Sequence, residues 1–161
     1  MSGSDEAAIG AVITGMYAMI SGPAGPRDWS LQPAYFAPEA RMMRTIWDSA
    51  GRPTLKIMTL DAYAADVTPF FAAHAFYEVE TARRLDVFGA MAHAWSAYEA
   101  RLHRDDETPE RRGVNSIQLR RDGAGNWRII SMIWDNARDE ARLDGEAPRK
   151  SNGAIAGVVQ R

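Results

Sequence analysis

The segment Gly113–Asn136, GVNSIQLRRDGAGNWRIISMIWDN, constrains the fold more than any other part of the chain. It reads as a β-hairpin: a strand near Val114–Arg121, a turn at Asp122-Gly123-Ala124-Gly125, and a second strand over Trp127–Asp135. Aspartate and glycine suit such a turn because both tolerate the positive φ that tight hairpins demand. The second strand is apolar on both faces. Strict alternation sends Ile129 and Ile133 one way, and Ile130, Met132 and Trp134 the other. An antiparallel strand with one wet face alternates apolar and polar residues. This strand is therefore expected near the centre of a curved sheet, with a core or cavity on one face and a partner on the other.

The remaining elements follow from periodicity and punctuation. Ser4 and Asp5 offer N-caps to a helix whose apolar positions Ile9, Val12, Ile13, Met16 and Ile20 recur at three and four residues. Ser21-Gly22-Pro23 ends it. Asp28 caps a brief second helix carrying Trp29, Leu31 and Tyr35, which Pro33 is expected to kink or shorten. Met42–Trp47 and Leu55–Met58 flank a turn and predict a first hairpin, with Pro53 outside its ladder. Thr59 or Asp61 opens a third helix to about Ala73, with a break expected at Pro69. Long strands follow at Phe76–Val87 and Ala90–Arg101, a charged connection at His103–Arg112, and then the final hairpin. Helices gathered early and strands late predict an α+β domain over residues 1–138, with residues 139–161 as a flexible tail.

Composition removes several functions. A chain of 161 residues fits one domain. Its net charge of −2 and lack of a basic stripe leave nucleic-acid binding without an electrostatic footprint. With no cysteine, disulfides, thiolate metal sites and a cysteine nucleophile are excluded. No segment approaches the roughly 18 consecutive apolar residues of a membrane span, and the first ten residues lack the pattern of a signal peptide. A cytoplasmic protein is expected. His74, His93 and His103 are the only histidines and share no close spacing, so neither a metal nor another cofactor is expected. Phosphate-cradling and nucleophile-elbow motifs are absent.

The patterns DWSLQPAYFAPEARMM at Asp28–Met43, FGAMAHAWSAYEAR at Phe88–Arg101 and the final hairpin resemble the nuclear transport factor 2-like superfamily, and within it the SnoaL-like proteins. The resemblance covers about Ala7 to Asn136. It implies a cone-shaped, strongly bent antiparallel sheet around three helices, a pocket between helices and sheet, and a homodimer through the outer sheet face. It does not give a function, since this scaffold hosts isomerases, dehydratases, cyclases and non-catalytic binders.

The resemblance also suggests candidates. Tyr17 occupies a place comparable to the first-helix tyrosine of the ketosteroid isomerases. Laid over their segment, Phe36-Ala37-Pro38-Glu39-Ala40 puts Arg44 where they hold a carboxylate base, and arginine cannot act as one near neutral pH. Their second acid would fall near Asn115–Ile117, where no carboxylate exists. Asp135 lies in the region where the SnoaL-type cyclases hold an acid. From the residues alone, His93 is the best acid–base candidate because its pKa lies near neutrality; Glu78 or Glu80 could orient it. Equally, His93 could be satisfied by a neighbouring strand or sit at a dimer face. Asn115 must be hydrogen-bonded if buried, to protein or to ligand. Arg44 could pair with Glu78, or unpaired could meet an anionic ligand. Trp29, Met132 and Trp134 are candidates for a pocket wall as well as for core.

The leading expectation is a domain that binds a small apolar or mildly polar molecule in a mostly apolar pocket. An enzyme using His93, Tyr17 or Asp135 is the alternative, and a purely interacting dimer the third. An enzyme of that kind needs His93 open to the pocket. A binder needs a cavity of roughly 300 Å³ or more.

Overall fold

The computed structural model describes residues 3–138; the tail expected over 139–161 lies outside them. Helix α1 spans Gly3–Ile20, and the apolar residues Ile9, Val12, Ile13, Met16 and Ile20 form its buried stripe. Asp5 and Glu6 occupy its first turn, where negative charge meets the positive end of the helix. Asp5 also accepts a hydrogen bond from Trp127 Nε1 at 3.0 Å, tying the helix start to the final hairpin. A 3₁₀ turn at Trp29–Leu31, capped by Asp28, runs into the four-residue helix α2, Gln32–Tyr35. Pro33 stands in the first turn of α2, where a missing N–H costs nothing.

Helix α3, Leu60–Ala73, starts at Thr59, whose side-chain oxygen accepts the N–H of Ala62 at 3.1 Å. It runs through Pro69 without the expected break. Proline deletes one helical hydrogen bond, but Phe70 and Phe71 immediately after it pack into the core and hold the last turn in place.

Six strands form one open, curved sheet: β1 Phe36–Trp47, β2 Pro53–Met58, β3 Tyr77–Phe88, β4 Met91–Arg101, β5 Arg111–Arg121 and β6 Trp127–Asn136. Their order is β2-β1-β6-β5-β4-β3. The β1–β6 pair is parallel, which makes the sheet mixed, and the other pairs are antiparallel. β6 is central, as its apolarity requires. The first strand begins at Phe36, earlier than the hairpin signal at Met42 suggests, because its N-terminal part pairs with β6 rather than β2. Register shifts in β1–β6, β3–β4 and β5–β6 bend the sheet around the helices.

The shift in β5–β6 corrects the alternation expected along β6. Gln118 pairs with Ser131 and Leu119 with Ile129, leaving Ile130 as an extra residue. Ile129 consequently joins Met132 in the core at 0% exposure, while Ile133 faces outwards at 38%. The hairpin turn differs too. Only Gly125 takes positive φ, at 88°; Asp122 instead accepts the N–H groups of Ala124 at 3.0 Å and Asn126 at 2.9 Å.

Candidate functional site

A cleft of about 300 Å³ opens between α3 and the inner face of the sheet, with Ile20 of α1 at its edge. Tyr63, Val67, Phe70 and Phe71 form its helical wall, and Met132 and Trp134 part of its floor. It is more polar than expected: Arg44, Asp66, Glu78, Tyr98, Arg111 and Asn115 also line it. Trp29 stands behind the wall, edge-on to Tyr63 at 6.0 Å and stacked on Phe71 at 6.4 Å. A second hollow of about 620 Å³ lies beyond Glu78, between α1 and the free edge of β3. It is the larger of the two and the more open, a groove along a sheet edge, whereas the first is walled on its helical side by aromatic rings.

Arg44 does not pair with Glu78. Its guanidinium lies 2.8 Å from Asp66 and 5.6 Å from the ring centre of Trp134. Asp66 also accepts from Lys56 Nζ at 2.6 Å, and that bond, with Arg44 beside it, holds its carboxyl below the usual range.

Tyr17 and Asn115 meet beneath the cleft. Asn115 Nδ2 donates to the Tyr17 oxygen at 2.8 Å, and that hydroxyl lies 2.7 Å from Ser96 Oγ. Ser96 donates its own proton to Glu80, which Arg83 holds with two hydrogen bonds of 3.0 and 2.6 Å. With the serine proton spent on Glu80, Tyr17 must donate to Ser96, so its single proton points away from the cleft. Burial pushes its phenol well above the ordinary range. Tyr17 is therefore a member of a satisfied internal chain, while Asn115 reaches both that chain and the cleft.

His93 and Asp135 lie on the opposite, outer face. Along β4 the buried residues are Ala92, Ala94, Ser96, Tyr98 and Ala100, which sends His93 outwards with Trp95. His93 Nε2 is 3.0 Å from Ser116 Oγ, and its ring meets Trp95 edge-on at 5.1 Å. Burial lowers its pKa. Asp135 accepts from Trp47 Nε1 at 2.9 Å. Neither lines the cleft.

Arg111 is what the sequence reading missed at this site, and Glu78, considered there only as a partner for His93 or Arg44, pairs with neither. The backbone of Glu78 is clamped to the end of α1: its N–H donates to Ser21 Oγ at 3.0 Å. Its carboxyl forms no hydrogen bond or ion pair with any described residue, and burial pushes its pKa up to about 8, against the pull of Arg111. Arg111 is likewise without an ion pair or side-chain hydrogen bond among the described residues; it lies over the rings of Phe70 at 5.8 Å and Phe76 at 6.0 Å. One signal in the sequence points to this arrangement. The alternation of alanine and serine with His93 and Trp95 marks the small-residue face of β4 as the inner one, and the bulky face as the outer one.

The fold and cleft define the class: the chain has the nuclear transport factor 2-like, or cystatin-like, α+β fold. Among solved structures it is similar to a cystatin-like protein of unknown function from Nostoc punctiforme, with TM-score 0.67 and 13% identity over 86% of this chain and 96% of that one. It is similar to a nuclear transport factor 2-like protein of unknown function from Pseudomonas putida, with TM-score 0.65 and 19% identity over 88% and 93%. A candidate ketosteroid isomerase from Shewanella frigidimarina matches with TM-score 0.54 and 14% identity over 80% and 94%. No family model and no curated protein matches the chain.

Proposed function

We propose that this protein is a small-molecule-binding domain whose ligand lies in the cleft between α3 and the sheet. One observation carries the reading: an aromatic-walled space of about 300 Å³ lined by the Glu78 carboxyl, which has no hydrogen bond or ion pair among the described residues, with Arg111 exposed to solvent and lying over the rings of Phe70 and Phe76. Ligand sites combine apolar walls with a few unspent polar groups. A candidate ketosteroid isomerase shares this fold, which is compatible with a small-molecule site. The test is to fill the space. Val67→Trp, on the helical wall, should leave a folded protein but abolish the rise in melting temperature that small aromatic compounds give the parent chain. Equal rises in both would overturn the reading.

A second reading, an isomerase-, dehydratase- or cyclase-type enzyme, is favoured by Glu78 alone. A carboxyl with a pKa near 8 is matched to proton transfer near neutral pH. In this reading Glu78 takes the acid–base role considered for His93.

The functional unit in either reading is a homodimer joined through the outer sheet face. Leu55, Ile57 and Ile133 stand there at 46%, 62% and 38% exposure. Met43 pairs with Ile57 on one side and with Ile133 on the other, so the apolar strip is continuous across three strands. No helix among the described residues is long and apolar enough to cross a membrane.

A further inference from the structure

Resting on the reading of the cleft as a ligand site, we propose that its ligand is an organic carboxylate. An aromatic or alicyclic acid would place its carboxylate between the Arg111 guanidinium and the Glu78 carboxyl, with its ring against Phe70, Phe76 and Trp134. Arg44 and Arg111 line the cleft with Asp66 and Glu78; Arg44 is paired with Asp66, which Lys56 also reaches from outside, so with Glu78 protonated Arg111 is the cation left over. Guanidinium groups match carboxylates in geometry, and one stacked on aromatic rings is held ready for them. Arg111 and Glu78 line the same cleft and feel each other's charge, but form no ion pair. That leaves a gap between one donor and another, provided Glu78 carries its proton.

Burial keeps it protonated at neutral pH. The groups facing Glu78 come from every element around it: Tyr17 from α1, Arg44 from β1, Tyr63 and Asp66 from α3, and Tyr98 and Arg111 from β4 and β5. On the groove side Glu80, Arg101 and Arg104 are near. Arg111 is the charge that most favours the ionised form, and a bound anion would cancel it. The Glu78 O–H then donates to the ligand carboxylate, a charge-assisted bond of the strong kind. Above the titration of Glu78 two anions would compete for one guanidinium. Affinity for an acid must therefore fall as pH rises, about tenfold per pH unit beyond Glu78's pKa.

A matched pair of probes, 2-naphthoate and 2-naphthamide, tests this by titration calorimetry from about pH 6 to about pH 9, the range spanning that titration. In the parent chain the acid should bind at least about tenfold more tightly than the amide at the lower pH, a preference worth roughly 1.4 kcal/mol. That preference should vanish as pH rises. Glu78→Gln should bind the acid with affinity independent of pH, and Arg111→Met should lose the preference while still binding the amide. If the parent chain binds both probes equally, or prefers the amide, the carboxylate proposal fails and the binding reading stands. If neither probe binds, both fail.

Discussion

At the scale of single residues, the cleft is governed by which polar groups are already spent. Tyr17 looked available because phenols at comparable positions serve as donors, but its proton is committed to Ser96 and its oxygen to Asn115. Glu78 is the reverse case: its backbone is fixed by Ser21 and its carboxyl has nothing to do. That idleness has a thermodynamic signature. Between its ordinary value of 4.5 and about 8, the unfolded chain releases the Glu78 proton while the folded protein keeps it. The folded state binds more protons over that window, so this residue's contribution to stability is whole below about pH 4.5 and lost as pH rises towards 8. Glu78→Gln should match the parent chain near pH 4.5 and exceed it near pH 8 by about 2–4 kcal/mol. Denaturant titrations at the two pH values measure this; a constant difference would show that Glu78 is ionised in the folded protein.

At the scale of elements, close approach outweighs intrinsic preference. Gly15 sits in the middle of α1, where alanine would normally stabilise a helix by about 1 kcal/mol. Here a Cβ would run into the ring of Tyr35 from α2. Overpacking of that kind typically costs about 1–3 kcal/mol, so Gly15→Ala should be net destabilising despite the better helix former. Adding Tyr35→Ala should reverse the sign of the alanine effect at position 15. Thermal unfolding of the four variants in a double-mutant cycle gives the answer. α3 shows the same principle, since it continues through Pro69 while Phe71 is buried and Phe70 packs against the core.

At the scale of the whole molecule, the sheet has two unlike faces. The inner one wraps the helices and cleft; the outer one carries the apolar strip of Leu55, Ile57 and Ile133 beside His93 and Trp95. Burial lowers the His93 pKa, so the ring is predominantly uncharged at neutral pH and compatible with a dry interface. Ile133→Glu puts a charge in the centre of that strip. It should leave the circular dichroism spectrum unchanged and halve the mass seen in sedimentation. If the parent chain already sediments as a monomer, the proposed dimer is wrong.

Much of this architecture is legible from local pattern. Helical periodicity gave α1 with its buried stripe, and alternating apolar runs marked the strands of the final sheet and the central position of β6. Those signals are local, because an element must present its apolar side to a core wherever that core lies. Resemblance in three segments pointed to the fold. What tertiary structure alone decided is which face each side chain joins. A single extra residue at Ile130 resets the alternation of β6 and moves Ile129 into the core. The burial of Ala92, Ala94 and Ser96 on the inner face of β4 turns His93 away from the cleft. Glu78 and Arg111, distant in sequence, come to share one cleft only when the sheet bends over α3. Bulges and interhelical volume are set by packing across the whole chain, and alternation counted along one strand carries no record of them.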